Sequence, residues 1–218
     1  MKIVLSLSGG MDSTTLLHSA LHGGHQVQAV HFQYGSTHNP YELWSAKAVA
    51  DHFVVPLEII NLHDAFNSIG SALMGDEPIP EGHYAGENMR KTVVPGRNMI
   101  MTAVLAGIAE ASDAQEVWLG QHAGDHLIYP DCRPRFVEAV DLAVQASTED
   151  KVRVAAPFLH IDKTKICAVG LQMGTPYELT RTCYKSQVLA CGKCGACNER
   201  LEAFKLNNAV DPTTYGVL

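Results

Sequence analysis

The chain has 218 residues, enough for one large domain or a domain with a small appendage, and at that length a core forms without disulfides. Hydrophobic residues make up 46% and charged residues 18%, an ordinary globular balance that excludes disorder, collagen and coiled coil. Sixteen basic against 23 acidic residues leave a formal charge of −7, which argues against a broad nucleic-acid surface while leaving room for a local basic cleft.

Short apolar runs alternate with amphipathic segments along the chain. Lys2 to Leu7 (KIVLSL) reads as a buried strand and is followed at once by Gly9, Gly10 and Asp12, so no secretory leader is expected. Asp12 to His22 reads as a helix, Gln26 to Phe32 as a second strand, and Pro40 to His52 as a second helix opening at proline. Leu57 to Asn61 is the third strand. A helix from about Asn98 to Ala111 places Ile100, Ala103, Val104, Gly107, Ile108 and Ala111 on one face, the expected core contact. The apolar stretch Met99 to Ala109 within it is shorter than the ~20 residues of a membrane helix, so a soluble, cytoplasmic protein is expected. Glu116 to Leu119 is the fourth strand, Arg133 to Gln145 a helix, Val152 to Ala156 the fifth strand, and Thr164 to Met173 a helix stopped by Gly174 and Pro176.

Five strands interleaved with helices predict an α/β fold, a Rossmann-like five-stranded parallel sheet with helices on both faces. Ligands in such sheets sit beyond the carboxyl ends of the strands, where the strand order reverses. Two regions fall outside the repeat. Leu62 to Gly96 lacks periodicity and reads as a long functional or partly mobile loop. The other holds most of the cysteines, so residues 1–180 are assigned to the α/β domain and 181–218 to a C-terminal metal-binding region packed on it.

The sharpest local signal is Ser8-Gly9-Gly10-Met11-Asp12-Ser13-Thr14, between the first strand and the first helix. Two glycines allow a sharp turn that points successive N–H groups into one concavity. Ser8, Ser13 and Thr14 add hydroxyls, and the helix start adds its positive end. This makes a nest for a pyrophosphate-sized anion. It matches neither G-x-x-x-x-G-K-[ST] nor G-x-G-x-x-G. The string resembles the pyrophosphate loop (PP-loop) of the ATP pyrophosphatases, of the adenine nucleotide alpha hydrolase-like fold. That resemblance implies cleavage of ATP between its α and β phosphates, with Asp12 holding Mg²⁺ beside the leaving pyrophosphate.

Cys183, Cys191, Cys194 and Cys197 crowd one glycine-interrupted segment, and four thiolates at C-x-x-C spacing complete a closed tetrahedral Zn²⁺ site. A closed site is structural. An iron–sulfur cluster is the main alternative. Lys185, Lys193 and Arg200 beside it read either as a solvated face or as an anion-binding rim.

Further candidates lie where chain order puts them near the ligand edge. Arg97, in Val94-Pro95-Gly96-Arg97-Asn98, offers a fixed fork to a phosphate or carboxylate, with Asn98 as a plain helix cap the alternative. Asp131 and Arg133, in Tyr129-Pro130-Asp131-Cys132-Arg133, are placed to read polar edges of a small substrate, or to form a turn and cap. Lys163 is placed to neutralise charge on a transferring group, although a lysine at a helix start is ordinarily solvated. His122 and His126 would share a helix face, but Gly120 and Gly124 argue for a loop and against a metal pair.

Taken together, SGGMDSTT, VPGRN, YPDCR, the Lys163 region and ELTRTCYKSQVLACGKCGACNER resemble one family in order and spacing, from about Lys2 to Arg200. That family is 7-cyano-7-deazaguanine synthase, the enzyme that makes the nitrile precursor of queuosine and archaeosine. The resemblance implies that ATP adenylylates 7-carboxy-7-deazaguanine, ammonia gives the amide, and a second ATP carries the amide to the nitrile. It implies ATP binding by Leu7, Ser8, Gly9, Gly10, Met11, Asp12, Ser13 and Thr14, and zinc binding by the four cysteines. Asp12, Lys163 and Arg97 would serve catalysis, and Tyr129, Asp131, Arg133 and Arg97 the substrate. A homodimer without nucleic-acid or membrane partners is expected. Leu127 and Ile128 replace the Ser-Gly frequent before the Tyr-Pro-Asp-Cys-Arg run, so a variant that stops at the amide is an alternative. A tRNA sulfurtransferase of the same fold is another, which the net charge and the use of four cysteines by one metal oppose. A non-catalytic zinc module would leave the phosphate loop idle. No glutaminase half is evident, so the ammonia would be free. Chemistry through adenylate needs no covalent cysteine intermediate, and Cys132 is the one thiol placed to contradict this.

Overall fold

The computed structural model describes residues 1–75 and 77–216. Five parallel strands, β1 (Lys2–Ser6), β2 (Gln26–Gln33), β3 (Leu57–Asn61), β4 (Glu116–Trp118) and β5 (Arg153–Ala155), lie in the order β3-β2-β1-β4-β5. The order reverses between β1 and β4. Strand pleat sends alternate β1 side chains to opposite faces, and both faces are covered. Ile3 and Leu5 pack with Leu16, Leu17 and Ala20 of α1 (Met11–His22), Ala46 and Val49 of α2 (Asn39–Phe53), and Ile166 of α6 (Lys163–Met173). Val4 packs on the other face with Leu105 and Ala109 of α4 (Arg97–Ala111) and Val140 and Val144 of α5 (Pro134–Ser147). The predicted strands and helices are present, with ends displaced by one or two residues.

Three features differ from the sequence reading. The stripe expected to face the core on α4 is split: Ile100, Val104 and Ile108 are half-buried and pack against core clusters, Ala103, Gly107 and Ala111 are exposed, and the fully buried residues are Thr102, Leu105, Ala106 and Ala109. The helix is apolar nearly all round, so periodicity cannot choose its buried side. The stretch from Leu62 to Gly96, read as a loop, contains short helical turns and an anchored part. It holds the short helix α3 (His63–Phe66) and a 3₁₀ turn over Glu87–Thr92, and Phe66, Leu73 and Val94 form a small core with Tyr34. The third difference is α7 (Gly195–Leu206), absent from the expected elements, whose buried face carries two charged residues, Glu199 and Arg200, among small and apolar ones. It packs through Ala203 and Phe204 against Met11, Cys167 and Tyr177, which anchors the cysteine region on α1 and α6.

Two glycines are required by close approach. Gly9 has φ +80°, and a Cβ there would lie 2.4 Å from the backbone nitrogen of Ala46, so α2 rests directly on the phosphate loop. Gly170 lies under Tyr177, whose hydroxyl is 2.8 Å from Thr15 Oγ1. Alanine inside a helix normally gains about 1 kcal/mol over glycine. At Gly170 its Cβ would sit 1.9 Å from the Tyr177 hydroxyl, and overpacking of that kind costs about 1–3 kcal/mol, with about 1 more for the hydrogen bond. The clash outweighs the propensity. Gly170→Ala is therefore expected to lose about 1–3 kcal/mol in urea denaturation; an unchanged or raised midpoint would mean that Tyr177 swings aside freely.

Candidate active site

A cavity of about 260 Å³ opens beyond the carboxyl ends of β1, β2 and β4, at the reversal of strand order. The phosphate loop forms one wall. No side chain caps the start of α1, so its first N–H groups are free for an anion. Ser8 and Ser13 are linked through their hydroxyl oxygens at 3.0 Å, the Gly10 N–H donates to Ser8 Oγ, and Ser13 Oγ–H donates to the Gly10 carbonyl. Ser8, Gly10, Met11, Asp12 and Ser13 line the cavity. Leu7, Gly9 and Thr14 stand behind them and support the turn: Leu7 in the core, Gly9 under α2, Thr14 fully buried.

A line of charges crosses the floor. Lys163 opens α6 behind its cap Asp162, and it is buried, not solvated. Its Nζ lies 2.5 Å from Glu199 Oε2 and 3.2 Å from Asp12 Oδ2. Burial alone would push this ammonium down, but the Asp12 and Glu199 carboxylates outweigh it and hold the group well above the usual lysine range. His122 Nε2 approaches Asp12 Oδ2 at 3.8 Å and Asp125 Oδ2 at 3.5 Å. Asp12 Oδ1 is buried and has no hydrogen-bond partner. A hard carboxylate oxygen left open in a phosphate site fits a divalent cation.

Arg97, the first residue of α4, sits on the opposite wall, its Nη1 3.5 Å from the Tyr34 hydroxyl and its guanidinium 5.8 Å from the centre of that ring. Tyr129, Tyr184 and Cys132 also line this wall, and among the described residues no carboxylate reaches Arg97 within ion-pair distance. Burial, with Asp125 and Asp131 nearby, pushes the Cys132 thiol up, away from nucleophilic use.

Asp131 and Arg133 do not line the cavity. Asp131 Oδ2 accepts the Asn98 N–H at 3.1 Å and its carbonyl accepts from Asn98 Nδ2, so it caps α4 from another segment. Arg133 is exposed and donates to the His126 carbonyl at 2.8 Å. His122 and His126 form no metal pair: His122 faces the two aspartates, and among the described residues only the four cysteines converge as a metal cluster. The sequence reading missed Glu199, Asp125, Glu42, Tyr84 and Tyr184, and gave His122 no role in the cavity, although all of them line it. Position alone signalled His122 and Asp125, since both follow β4 at the ligand edge.

The sulfurs of Cys183, Cys191, Cys194 and Cys197 all lie within 4.8 Å of one another, with Cys191 and Cys197 at 3.9 Å. Tetrahedral thiolates about 2.3 Å from a zinc ion would be about 3.8 Å apart. Backbone N–H groups of Lys185 and Cys191 point at Cys183 Sγ, and those of Lys193 and Cys194 at Cys191 Sγ. Proton sharing holds Cys183 down while Cys194 and Cys197 are held up, so the crowded sulfurs cannot all ionise unless a cation joins them. The cluster fits a structural metal. Of the basic residues beside it, Arg200 is neither solvated face nor rim: it is fully buried, bidentate on Asp211, and donates to Thr180, Thr182 and the Tyr177 carbonyl. Lys185 pairs with Glu81, and the Lys193 side chain is exposed.

This sheet, with a hydroxyl-rich phosphate loop at the first crossover, defines a PP-loop α/β enzyme. Solved structures agree on the fold: NMN synthetase from Francisella tularensis superposes with a TM-score of 0.53 at 12% identity, over 95% of this chain and 77% of that one. NH3-dependent NAD synthetase from Campylobacter jejuni gives 0.52 at 16%, over 95% and 75%. The family model described as "Queuosine biosynthesis protein QueC" matches residues 2–208, and the chain belongs to that family. It is 48% identical over 216 residues to the 7-cyano-7-deazaguanine synthase of Pseudoalteromonas atlantica, across 98% of both chains. The motifs read from the sequence point to the same family.

The two walls call for different mutational outcomes. Asp131→Ala is expected to cost about 1 kcal/mol, as loss of a helix cap does, and to leave KM for an acid substrate within about twofold. Arg97→Met should fold normally and raise that KM by about tenfold or more, as loss of a charged contact does. Steady-state kinetics beside urea melts separate the two; the reverse pattern would put Asp131 in the site.

Proposed function

We propose that the chain converts 7-carboxy-7-deazaguanine and ammonia to 7-cyano-7-deazaguanine at the expense of two ATP, each released as AMP and pyrophosphate. The observation that carries this reading is Arg97, a cation without a carboxylate partner that shares one cavity with an anion-binding loop. Such a pair holds an organic acid at one end and a polyphosphate at the other.

Ser8, Gly10, Ser13 and the start of α1 bind the outer phosphates, and Lys163 balances charge that develops on the inner one. Asp12, through its open Oδ1, would hold Mg²⁺ there, which supplies charge for the departing pyrophosphate. Arg97 orients the carboxylate, with Tyr129 beside it. The carboxylate oxygen attacks the α-phosphorus and the bond to the β-phosphate bridge breaks. Ammonia then adds to the acyl carbon, AMP leaves, and a proton goes to solvent. In the second round the amide oxygen attacks the α-phosphorus of another ATP and pyrophosphate leaves; the oxygen then departs with AMP while the nitrogen gives its two protons to solvent, leaving the nitrile. Alignment and charge neutralisation are the protein's contribution.

A sulfurtransferase would need a reactive cysteine pair. Four cysteines meet in one cluster, Cys132 is held as a thiol, and burial pushes Cys167 up to about 11. The cluster holds zinc, by its four-sulfur donor set. A twofold dimer in the cytoplasm is the assembly this reading expects.

Incubation with 7-carboxy-7-deazaguanine, ATP, Mg²⁺ and ammonium, followed by mass analysis, should yield nitrile and AMP. Amide as the end product would support the truncated alternative, and ADP would overturn the mechanism. Asp12→Ala should abolish AMP release in a folded protein. Native mass spectrometry should return a dimer with one zinc per chain, and iron in its place would reverse the metal assignment.

A further inference from the structure

The cysteine cluster and the phosphate loop are joined by one helical turn. Cys194 precedes α7 as its N-terminal cap residue and Cys197 lies in its first turn. Two residues further, Glu199 reaches the cavity floor and meets Lys163 at 2.5 Å. One residue beyond that, Arg200 is locked on Asp211 and the Tyr177 carbonyl. Within four residues the same helix therefore touches the metal site, the site lysine and the C-terminal tail.

Stability alone does not account for the Lys163–Glu199 pair. A buried ion pair recovers its desolvation cost only with excellent geometry, and apolar replacements are often neutral or better. Asp12 already offers Lys163 one carboxylate at 3.2 Å. A second, closer one at 2.5 Å leaves the ammonium on Asp12 Oδ2 alone, while Asp12 Oδ1 stays without a partner. Glu199 Oε1 is confined as well: a Cβ on Gly124 would lie 2.8 Å from it. The carboxylate is thus wedged between the loop after β4 and the lysine, with little freedom to follow Lys163 elsewhere.

We propose that Glu199 is a positioning residue, which keeps Lys163 on Asp12 Oδ2 and clear of Oδ1, and that the metal-bound cysteines set its reach by fixing the register of α7. The proposal rests on the reading of Lys163 as the nucleotide-site cation. Without Glu199, Lys163 moves further onto Asp12 and masks Oδ1, the carboxylate oxygen that is open in the site. A metal cluster with no open coordination position would thereby govern the first phosphate step from a distance.

The test uses Glu199→Gln, which keeps the size and one acceptor but removes the charge. With metal content and melting temperature as in the parent protein, AMP release per enzyme at saturating ATP should fall about tenfold or more, as for loss of one preorganised electrostatic contact, while KM for ATP moves by less than about threefold. A second readout needs no turnover. The Lys163 side-chain ¹⁵N ammonium resonance, assigned by its loss in Lys163→Met, should be sharp and protected from solvent exchange in the metal-loaded protein. It should shift or broaden in Glu199→Gln, and do the same when a chelator strips the parent protein while far-UV circular dichroism stays native. A Glu199→Gln protein that turns over at the parent rate overturns the positioning role. Loss of its metal or its fold makes Glu199 a structural residue and overturns the role equally. A resonance unchanged by chelation in a folded chain overturns the link to the cluster. Failure of the proposed reaction with a responsive resonance would leave the coupling standing and refute only the substrate assignment.

Discussion

One buried ammonium organises this molecule. Lys163 lies at the start of α6, between a carboxylate from α1 and another from α7, and water reaches almost none of it. Removing such a charge from water costs several kcal/mol unless partners surround it. The three helices that supply the lysine and its partners are thereby pinned to one another at the mouth of the sheet. The apolar contacts of Met11, Cys167 and Phe204 a few ångströms away join the same three helices, so packing and charge specify one arrangement.

What the sequence made legible was local. The phosphate loop lies within seven consecutive residues, and the four cysteines within fifteen, so spacing alone expresses their geometry. Lys163 was placed at the site by chain order and resemblance, but its burial was not legible, because its partners are 36 and 151 positions away and no short pattern records such a meeting. The stripe on α4 misled for another reason. A helix apolar on every side has no phase, and only the sheet beneath it decides that Leu105 and Ala109 turn inward. Asp131 looked like a substrate contact because capping another segment's helix leaves the same trace in sequence as lining a pocket.

Two arginines show how partners separate structure from function. Arg200 is fully buried and nearly every N–H of its guanidinium is used, on Asp211, two threonine hydroxyls and a carbonyl. Its bonds are complete within the chain, and it joins α7 to the tail. Arg97 also lines an enclosed place, yet among the described residues its guanidinium makes one hydrogen bond, a long one to the Tyr34 hydroxyl. An always-charged group left so poorly satisfied retains the capacity to bind an anion brought from outside. The difference between them was invisible in residue type and follows only from the neighbours the fold provides.

The same logic extends to the segment between β3 and α4, which carries no periodic signal. Glu81 bridges Cys194 and pairs with Lys185, while the Gly82 N–H donates to the Lys193 carbonyl. A Cβ on Gly195 would lie 2.7 Å from Met89 Sδ, so the turn through Met89 lies directly on the start of α7. Tyr84 and Met89 from this segment, and Tyr184 and Glu199 from the cysteine region, then form facing parts of one cavity wall. The segment before α4 has too little regular structure to hold its part of that wall alone, because an irregular chain without a ladder of hydrogen bonds depends on anchors. The four clustered cysteines supply those anchors, and the part of the cavity lined by Tyr84, Met89, Tyr184 and Glu199 takes its shape from them.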